Sequence, residues 1–586
     1  MRPSRIRCFH GFATVLAACC LLATCALLGT ATAALGPARA STIAPSVAEW
    51  LAASGPGDRV VVWVFLEDKG KASPAQVEDQ IARVARAFDP KAIERRLAAR
   101  PQSPFSEADL PIFKPYIDAI KLEGVGIRSF SRWLNALSVT ADAGQIERLA
   151  SEPFVKELRR VSGRKGGPEP ETWPSGLEGA QGAQGLSALY DYGPSWRQLA
   201  QIQATDLHSE GYTGAGIRIA ILDTGFWLGH EAFAGLNKIA EHDFINDDGV
   251  TANEAGDPAG QHDHGTMCLS LLAGNSPGHI MGAAFDAEYI LAKTEDTADE
   301  QPVEEDWWIE AAEWADSLGA QIISTSLGYT DWYTYADMDG DTAPITIAAD
   351  MAAANGIVVV AAAGNQGAIS WRYIGAPADG DSVISAGSVD STGVRSYFSS
   401  QGPTYDGRIK PTVMAMGQAD YIADPRGVSM YRRGNGTSFS TPLVAGSIAL
   451  IIQKNPYWTP GTVIEAITMT GTQASNPDTL SGWGILQAQD ASDLATSGVG
   501  PVAIAIPSLR VFPNPCRDSF SLLLSGSSHA SRVPLRIFDV RGRLLCEVPV
   551  AGDSAHVVLQ SGLNVGPGFV FIDVPGSGRA KVLVLK

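Results

Sequence analysis

Residues 356–363 read Gly-Ile-Val-Val-Val-Ala-Ala-Ala, a run with no polar side chain to turn toward water. A strand built from it has to be covered on both faces, which a sheet with one wet face does not offer. Comparable apolar runs stand at 217–222 and 287–292, with shorter ones at 321–324 and 382–388. Helical sequence at 307–318 and 345–355 separates them. Apolar strands alternating with helices predict an α/β fold, a mostly parallel, doubly wound sheet. Functional groups in such sheets gather beyond the carboxyl ends of the strands, and Asp223 and Asn365 both fall there.

That sheet accounts for part of the 586 residues, and the length predicts roughly three to four domains. Residues 1–40 read as a signal peptide: Arg2, Arg5 and Arg7 precede an apolar run at 12–28, and Ala31-Thr32-Ala33 and Ala38-Arg39-Ala40 each offer a cleavage site. Leu16-Ala17-Ala18-Cys19 has the composition of a lipobox, but the apolar run continues past Cys19, which favours the cleaved signal. Residues 41–162 carry a strand at 59–66, helical sequence to about 100, alternating β-sequence at 133–140, a helix from 145 and a strand at 155–161. This predicts a small α+β unit. Residues 163–189 turn to Gly, Pro, Glu and Ser, a linker open to proteolysis. The α/β domain spans 190–496, and 505–586 hold short strands between Gly, Ser and Pro turns, as an immunoglobulin-like β-sandwich does.

No other stretch approaches about 18 unbroken apolar residues, so no transmembrane span is expected in the mature chain. The formal charge of −19 argues against nucleic acid as a partner. Four of the seven cysteines (Cys8, Cys19, Cys20, Cys25) lie in the signal. Cys516 and Cys546 share the C-terminal segment and could pair, while Cys268 reads as a small buried hydrophobe.

The chemistry is carried by three segments. Gly434-Asn435-Gly436-Thr437-Ser438 leads into an apolar helix with no charged side chain before Lys454. A buried helix whose N-terminus emerges offers free N–H groups and the positive end of its dipole. A serine placed there is an ordinary helix cap, unless a base and a carboxylate serve it. His264 opens a second apolar helix, and Asp223 ends the strand at 217–222. Singly, Asp223 reads as a turn residue, His264 as a cap and Asn365 as a turn asparagine. Jointly they supply nucleophile, base and carboxylate in the order Asp, His, Ser.

With Asp223-Thr224-Gly225, His264-Gly265-Thr266 and Gly436-Thr437-Ser438-Phe439-Ser440-Thr441-Pro442 intact, the segment from about 190 to 495 resembles the subtilisin-like serine peptidases, the subtilases. The resemblance implies that Ser438 attacks the scissile carbonyl, that His264 is general base and then acid, and that Asp223 orients it. Asn365 matches the family's oxyanion-hole asparagine. Ser326, Leu327 and Gly328 match the strand that pairs with extended substrate, and Ala362, Ala363 and Gly364 the opposite wall of the primary pocket. No cofactor is implied for the chemistry. The segment before the linker resembles a subtilase propeptide, which chaperones and inhibits its enzyme and is removed by self-cleavage, here expected between about Val161 and Tyr190. Cys268 resembles the cysteine beneath the histidine in the proteinase K branch.

Structural calcium has two sets of candidate ligands: Asp337, Asp339 and Asp341, and the acidic insert 243–248. A solvated acidic loop is the competing reading at both. Glu295, Asp296, Asp299, Glu300, Glu304, Glu305 and Asp306 crowd the segment before the helix at 307–318, where either a preference for basic substrate residues or a charged surface is expected. At the C-terminus, Pro513-Asn514-Pro515, Asp539-Val540-Arg541-Gly542-Arg543 and the final basic strand resemble the sorting domain of type IX secretion, with a hook-cap type immunoglobulin-like domain as competitor. The whole reads as a secreted or cell-surface serine endopeptidase acting on proteins or peptides, with its own propeptide and an export machinery as partners. The alternative is a catalytically silent surface-binding protein on the same scaffold.

Overall fold

The computed structural model describes residues 42–70, 72–161, 189–298 and 300–494, with seven strands between 508 and 584. The expected signal peptide, most of the linker, the Pro-Asn-Pro turn and the Asp539–Arg543 hairpin lie outside the described residues.

The centre is a seven-stranded sheet in the order Val413–Met416, Val383–Val389, Val358–Ala362, Ile322–Thr325, Arg218–Asp223, Glu288–Lys293, Asn237–Asp243. Every neighbouring pair runs parallel. Strand residues alternate between two cores, as a pleated strand with two covered faces must. Ile219, Ile221, Val358 and Val360 pack with helices Asp263–Ala273 and Thr437–Lys454. Ala220, Leu222, Ile323 and Val359 pack with helices Val303–Ser317 and Pro344–Ala354 on the other face. The predicted doubly wound sheet is therefore present, and its two edge strands, Asn237–Asp243 and Val413–Met416, are additions.

Helix Val303–Ser317 begins earlier than the sequence suggests. Glu304, Glu305 and Asp306 form its first turn, where carboxylates suit the helix dipole, and all three are buried. Glu305 accepts the indole N–H of Trp332 at 2.6 Å and the hydroxyl of Tyr333 at 2.8 Å. Burial pushes Asp306 up to about 7, against the pull of Arg128 3.3 Å away. These side chains are thus interior groups and not a charged surface.

The N-terminal unit is a four-stranded antiparallel sheet, Gly126–Ser131, Ala136–Asp142, Arg59–Leu66, Val155–Val161, with helices around it. Residues 132–135, expected to continue a strand, form the turn between two strands, with Asn135 at φ 49°. One face of this sheet lies on helix Val303–Ser317. Ser129 donates to Glu310 and Ser131 to Glu313, each at 2.7 Å, and the Trp133 N–H reaches Glu313 at 3.1 Å. Trp63, Trp133 and Val161 join the peptidase-side core. The C-terminal strands form two antiparallel sheets, of three and four strands.

Candidate active site

Asp223 ends the strand Arg218–Asp223 and is fully buried. Its Oδ1 accepts the Thr224 N–H at 2.7 Å and lies 2.7 Å from His264 Nδ1. That fixes the tautomer: Nδ1 carries the hydrogen, and Nε2 is left to exchange a proton. His264 sits in the first turn of helix Asp263–Ala273. The helix start is pressed against the Asp223 loop, since a Cβ on Gly265 would lie 2.2 Å from the Gly225 carbonyl oxygen. Glycine in the His-Gly-Thr motif is thus a requirement of close approach to the Asp-Thr-Gly motif. The Gly265 N–H completes the joint by donating to Thr224 Oγ1 at 3.1 Å.

Ser438 is the second residue of helix Thr437–Lys454, so its N–H is among those with no intrahelical acceptor. Gly436, the N-cap, has φ 154° and ψ 149°, a conformation open essentially to glycine alone. Gly434 answers to packing. It lies in the strand Tyr431–Asn435, and a Cβ there would meet the Phe439 ring at 2.5 Å. Pro442 has no N–H to return to the carbonyl of Ser438, four residues back. Other donors take that carbonyl: Ser326 Oγ at 2.8 Å and Cys268 Sγ at 3.5 Å. The Ser438 hydroxyl donates to the Ser326 carbonyl at 3.2 Å.

Cys268 lies under the imidazole, its Sγ 3.9 Å from Nδ1 and 3.8 Å from Nε2. Burial pushes its thiol up to about 11, so it stays uncharged near neutrality. Burial alone would lower His264, but the Asp223 carboxylate and Cys268 beneath the ring together outweigh it and hold the imidazolium well above its ordinary range. Asn365 is oriented without ambiguity. Its Oδ1 accepts the Thr437 N–H at 3.0 Å and the Thr437 hydroxyl at 3.2 Å, which places Nδ2 on the opposite side of the amide. Ser326, Leu327 and Gly328 follow the strand Ile322–Thr325, while Ala362 ends the strand Val358–Ala362 and Ala363 and Gly364 follow it. A Cβ at Gly328 would stand 4.0 Å from the Ala362 carbonyl, so the two segments run side by side. The structure thus brings all ten of these residues to one end of the sheet.

Sequence reasoning missed Gln261. Its Nε2 donates to the carbonyls of Thr224 and Glu295, and its Oε1 accepts the N–H and hydroxyl of Thr297 at 3.0 and 2.9 Å. One buried amide, with every bond made, braces the Asp223 loop to the segment after Glu288–Lys293. A glutamine three residues before the histidine carries no recognisable signal in sequence.

Of the two sets of calcium candidates, one brings carboxylates together and the other does not. Asp337 takes the N–H and hydroxyl of Thr334, each at 2.7 Å, while Asp339 takes the N–H groups of Asp341 and Thr342 at 3.0 and 2.9 Å. Asp337, Asp339 and Asp341 do not converge on a common point: none belongs to the carboxylate groups that do so among the described residues. Asp243, Asp248 and Glu254 do converge, but the Lys293 ammonium bonds Asp243 at 2.7 Å and Asp257 at 2.8 Å, so a side-chain cation already sits against this cluster. Glu295, Glu300 and Glu304 form another close trio. Burial and then Glu300 push Glu304 up to about 9, so it does not present charge to a basic substrate residue at neutral pH.

Residues 214–484 match the subtilase family, and residues 61–171 match the peptidase S8 propeptide domain of Bacteroidota. The chain is 31% identical over 360 residues to subtilisin E of Bacillus subtilis (strain 168), across 61% of this chain and 81% of that protein. It is 35% identical over 275 residues to a subtilisin of Bacillus pumilus, across 47% of this chain and 90% of that protein. Subtilisin Savinase of Lederbergia lenta is 30% identical over 298 residues, across 50% of this chain and 97% of its own length. A silent surface-binding protein, the alternative raised from the sequence, finds no support among them.

Proposed function

This chain belongs to the subtilase family and is a serine-type endopeptidase, and on that premise we propose that Ser438 is its nucleophile, His264 its general base and acid, and Asp223 the carboxylate that holds the imidazole. Ser438 Oγ attacks the scissile carbonyl as its proton passes to His264 Nε2. Asp223 keeps the Nδ1–H aligned and stabilises the imidazolium. The developing oxyanion is met by the Ser438 N–H at the helix terminus and by Asn365 Nδ2. Collapse of the tetrahedral intermediate breaks the C–N bond, and the amine leaves with the proton from His264. Water then hydrolyses the acyl-enzyme, with His264 again the base. The extended substrate lies between Ser326–Leu327–Gly328 and Ala362–Ala363–Gly364, held mainly through its backbone. Side chains and backbone suffice for every step.

The observation that carries this reading is the 2.7 Å approach of His264 Nδ1 to Asp223, beside a serine that opens a buried helix. The N-terminal unit acts as the inhibitory propeptide, removed by cleavage between about Val161 and Tyr190. The signal peptide directs export, and the C-terminal β-domain serves sorting to the cell surface. A fluorophosphonate probe applied to the full chain, after cleavage and release of the N-terminal unit, is expected to label wild type and not Ser438→Ala. No labelling of wild type would sink the assignment. Export unchanged on deleting 505–586 would remove the sorting role.

A further inference from the structure

Asp223 stands between two strand exits. In the parallel sheet, Arg218–Asp223 lies between Ile322–Thr325 and Glu288–Lys293, with Asp223 level with Lys293. Ile322–Thr325 runs on into Ser326, Leu327 and Gly328, and Glu288–Lys293 runs on into 294–298, which reaches the surface at Thr297 and Ala298. The Thr294 N–H donates to the Asp223 carbonyl at 2.9 Å, and there the ladder between Arg218–Asp223 and Glu288–Lys293 ends. Past that point the chain has to hold its exits together with side chains.

Gln261 is buried where the two exits part. It directly precedes His262, the cap of helix Asp263–Ala273, so its backbone travels with His264. Its Nε2 donates to the Thr224 carbonyl at 2.7 Å and to the Glu295 carbonyl, while its Oε1 takes the N–H and hydroxyl of Thr297. Two carbonyls on one side and a backbone N–H on the other fix which way the amide points. The Glu295 carboxylate in turn accepts the Tyr329 hydroxyl at 2.8 Å, and Tyr329 is the residue after Gly328. One side chain thus joins the helix of His264, the loop of Asp223 and, through Glu295, the end of the segment assigned to substrate. The Asp223–His264 pair also has a joint of its own, the Gly265 N–H on Thr224 Oγ1. Losing Gln261 therefore loosens the tie between that pair and the substrate side more than the tie within the pair.

We infer that Gln261 is a positioning residue, which holds the Asp223–His264 pair in register with the segment that receives extended substrate. The inference rests on the roles proposed above for Asp223, His264 and Ser326 to Gly328. Binding far from the scissile bond raises kcat only where the frame that carries it is fixed relative to the reacting atoms, and a misplacement of about 1 Å costs about a hundredfold.

The test compares two substrates on the full chain after cleavage and release of the N-terminal unit: a single-residue ester, and a tetrapeptide ester with the same last residue and leaving group. Wild type is expected to turn over the tetrapeptide with the higher kcat. Gln261→Met keeps the bulk of the side chain and removes all four bonds. It should lower the ratio of kcat/KM, tetrapeptide over single residue, by about tenfold or more, with the loss in kcat. Thr297→Val removes one bond at the exposed end and should lower the same ratio by about twofold to fivefold. A role in folding alone would slow both substrates alike. A ratio at the wild-type value in both variants, a loss confined to KM, or a wild type with no advantage for the tetrapeptide overturns the inference. Should Gln261→Met fail to fold, Thr297→Val decides alone. Fluorophosphonate labelling of the same preparations separates the two readings: unlabelled wild type refutes the role of Ser438, whereas labelled enzyme with an unchanged ratio refutes Gln261 only.

Discussion

Asp223 and Asp316 are the same residue under the same burial, both at 0% exposure, and each is paired with cationic side chains. Their bonding differs. Asp223 gives one oxygen to His264 and to the Thr224 N–H, and its Oδ2 has no hydrogen-bond partner among the described residues. Asp316 spends both oxygens on Arg95 and Arg96 of the N-terminal unit. An imidazole changes charge near neutral pH, whereas a guanidinium stays charged at any pH a protein survives. The first pair suits a proton that must move, and the second suits a surface that must hold. The neighbours a buried carboxylate is given decide whether it does chemistry or docking.

The widest separation of the two comes from Asp223→Asn, which keeps the shape and inverts the tautomer. It should lower kcat by about 10⁴-fold with KM little changed, while Asp316→Ala leaves kcat of the released enzyme at the wild-type value; steady-state kinetics on a peptide substrate reads both. Asp316→Ala should instead cost about 3–5 kcal/mol of docking stability, by leaving the buried Arg95 without a carboxylate and Arg96 with Asp109 alone. Denaturant unfolding of the uncut Ser438→Ala chain measures this, and a change below about 1 kcal/mol would place the pair among weak surface bridges. Asn365→Ala should remove about 2.7–4 kcal/mol of transition-state stabilisation, seen in kcat. An unchanged kcat would take Asn365 out of the oxyanion site.

The smallest effect, and the one that sharpens the contrast, is on pH. Burial depresses His264, and the Asp223 charge together with Cys268 more than restores it, so its folded value lies above 6.5. Because the neutral imidazole is the base, kcat/KM should rise as pH climbs through that raised value, with an acid limb on the alkaline side of 6.5. The sign for folding is opposite: the Asp223–His264 pairing stabilises fully below the ordinary histidine range and is lost as pH rises through the raised value. A limb at or below 6.5 would show that Asp223 does not dominate the imidazole. Asp316→Ala should leave the limb where it is.

Much of this was legible in sequence. The apolar runs predicted the parallel sheet, and the three motifs predicted which loops would meet. What escaped was polar. The first turn of Val303–Ser317 reads as an acidic loop, because three consecutive carboxylates normally face water, but here Glu305 packs under Trp332 and Tyr333 and Asp306 faces Arg128 of the N-terminal unit. The Asp337–Asp341 run reads as either a solvated acidic loop or a calcium loop, and its carboxylates bond neighbouring N–H groups and hydroxyls, as aspartates in turns do. Gln261 and the N-terminal unit's Arg95 and Arg96 look like ordinary polar residues until their partners are placed.

The sequence by itself determined the class of the fold and the three motifs that the peptidase segment carries, because strand burial and motif chemistry are written in residues close together along the chain. The tertiary structure decided which polar groups pair: Gly265 against the Gly225 carbonyl, Ser326 on the carbonyl that Pro442 leaves open, Arg95 on Asp316. Those partners lie 40 to more than 200 positions apart in sequence. A buried polar group takes whichever complementary group the packing delivers, and packing is a property of the whole chain.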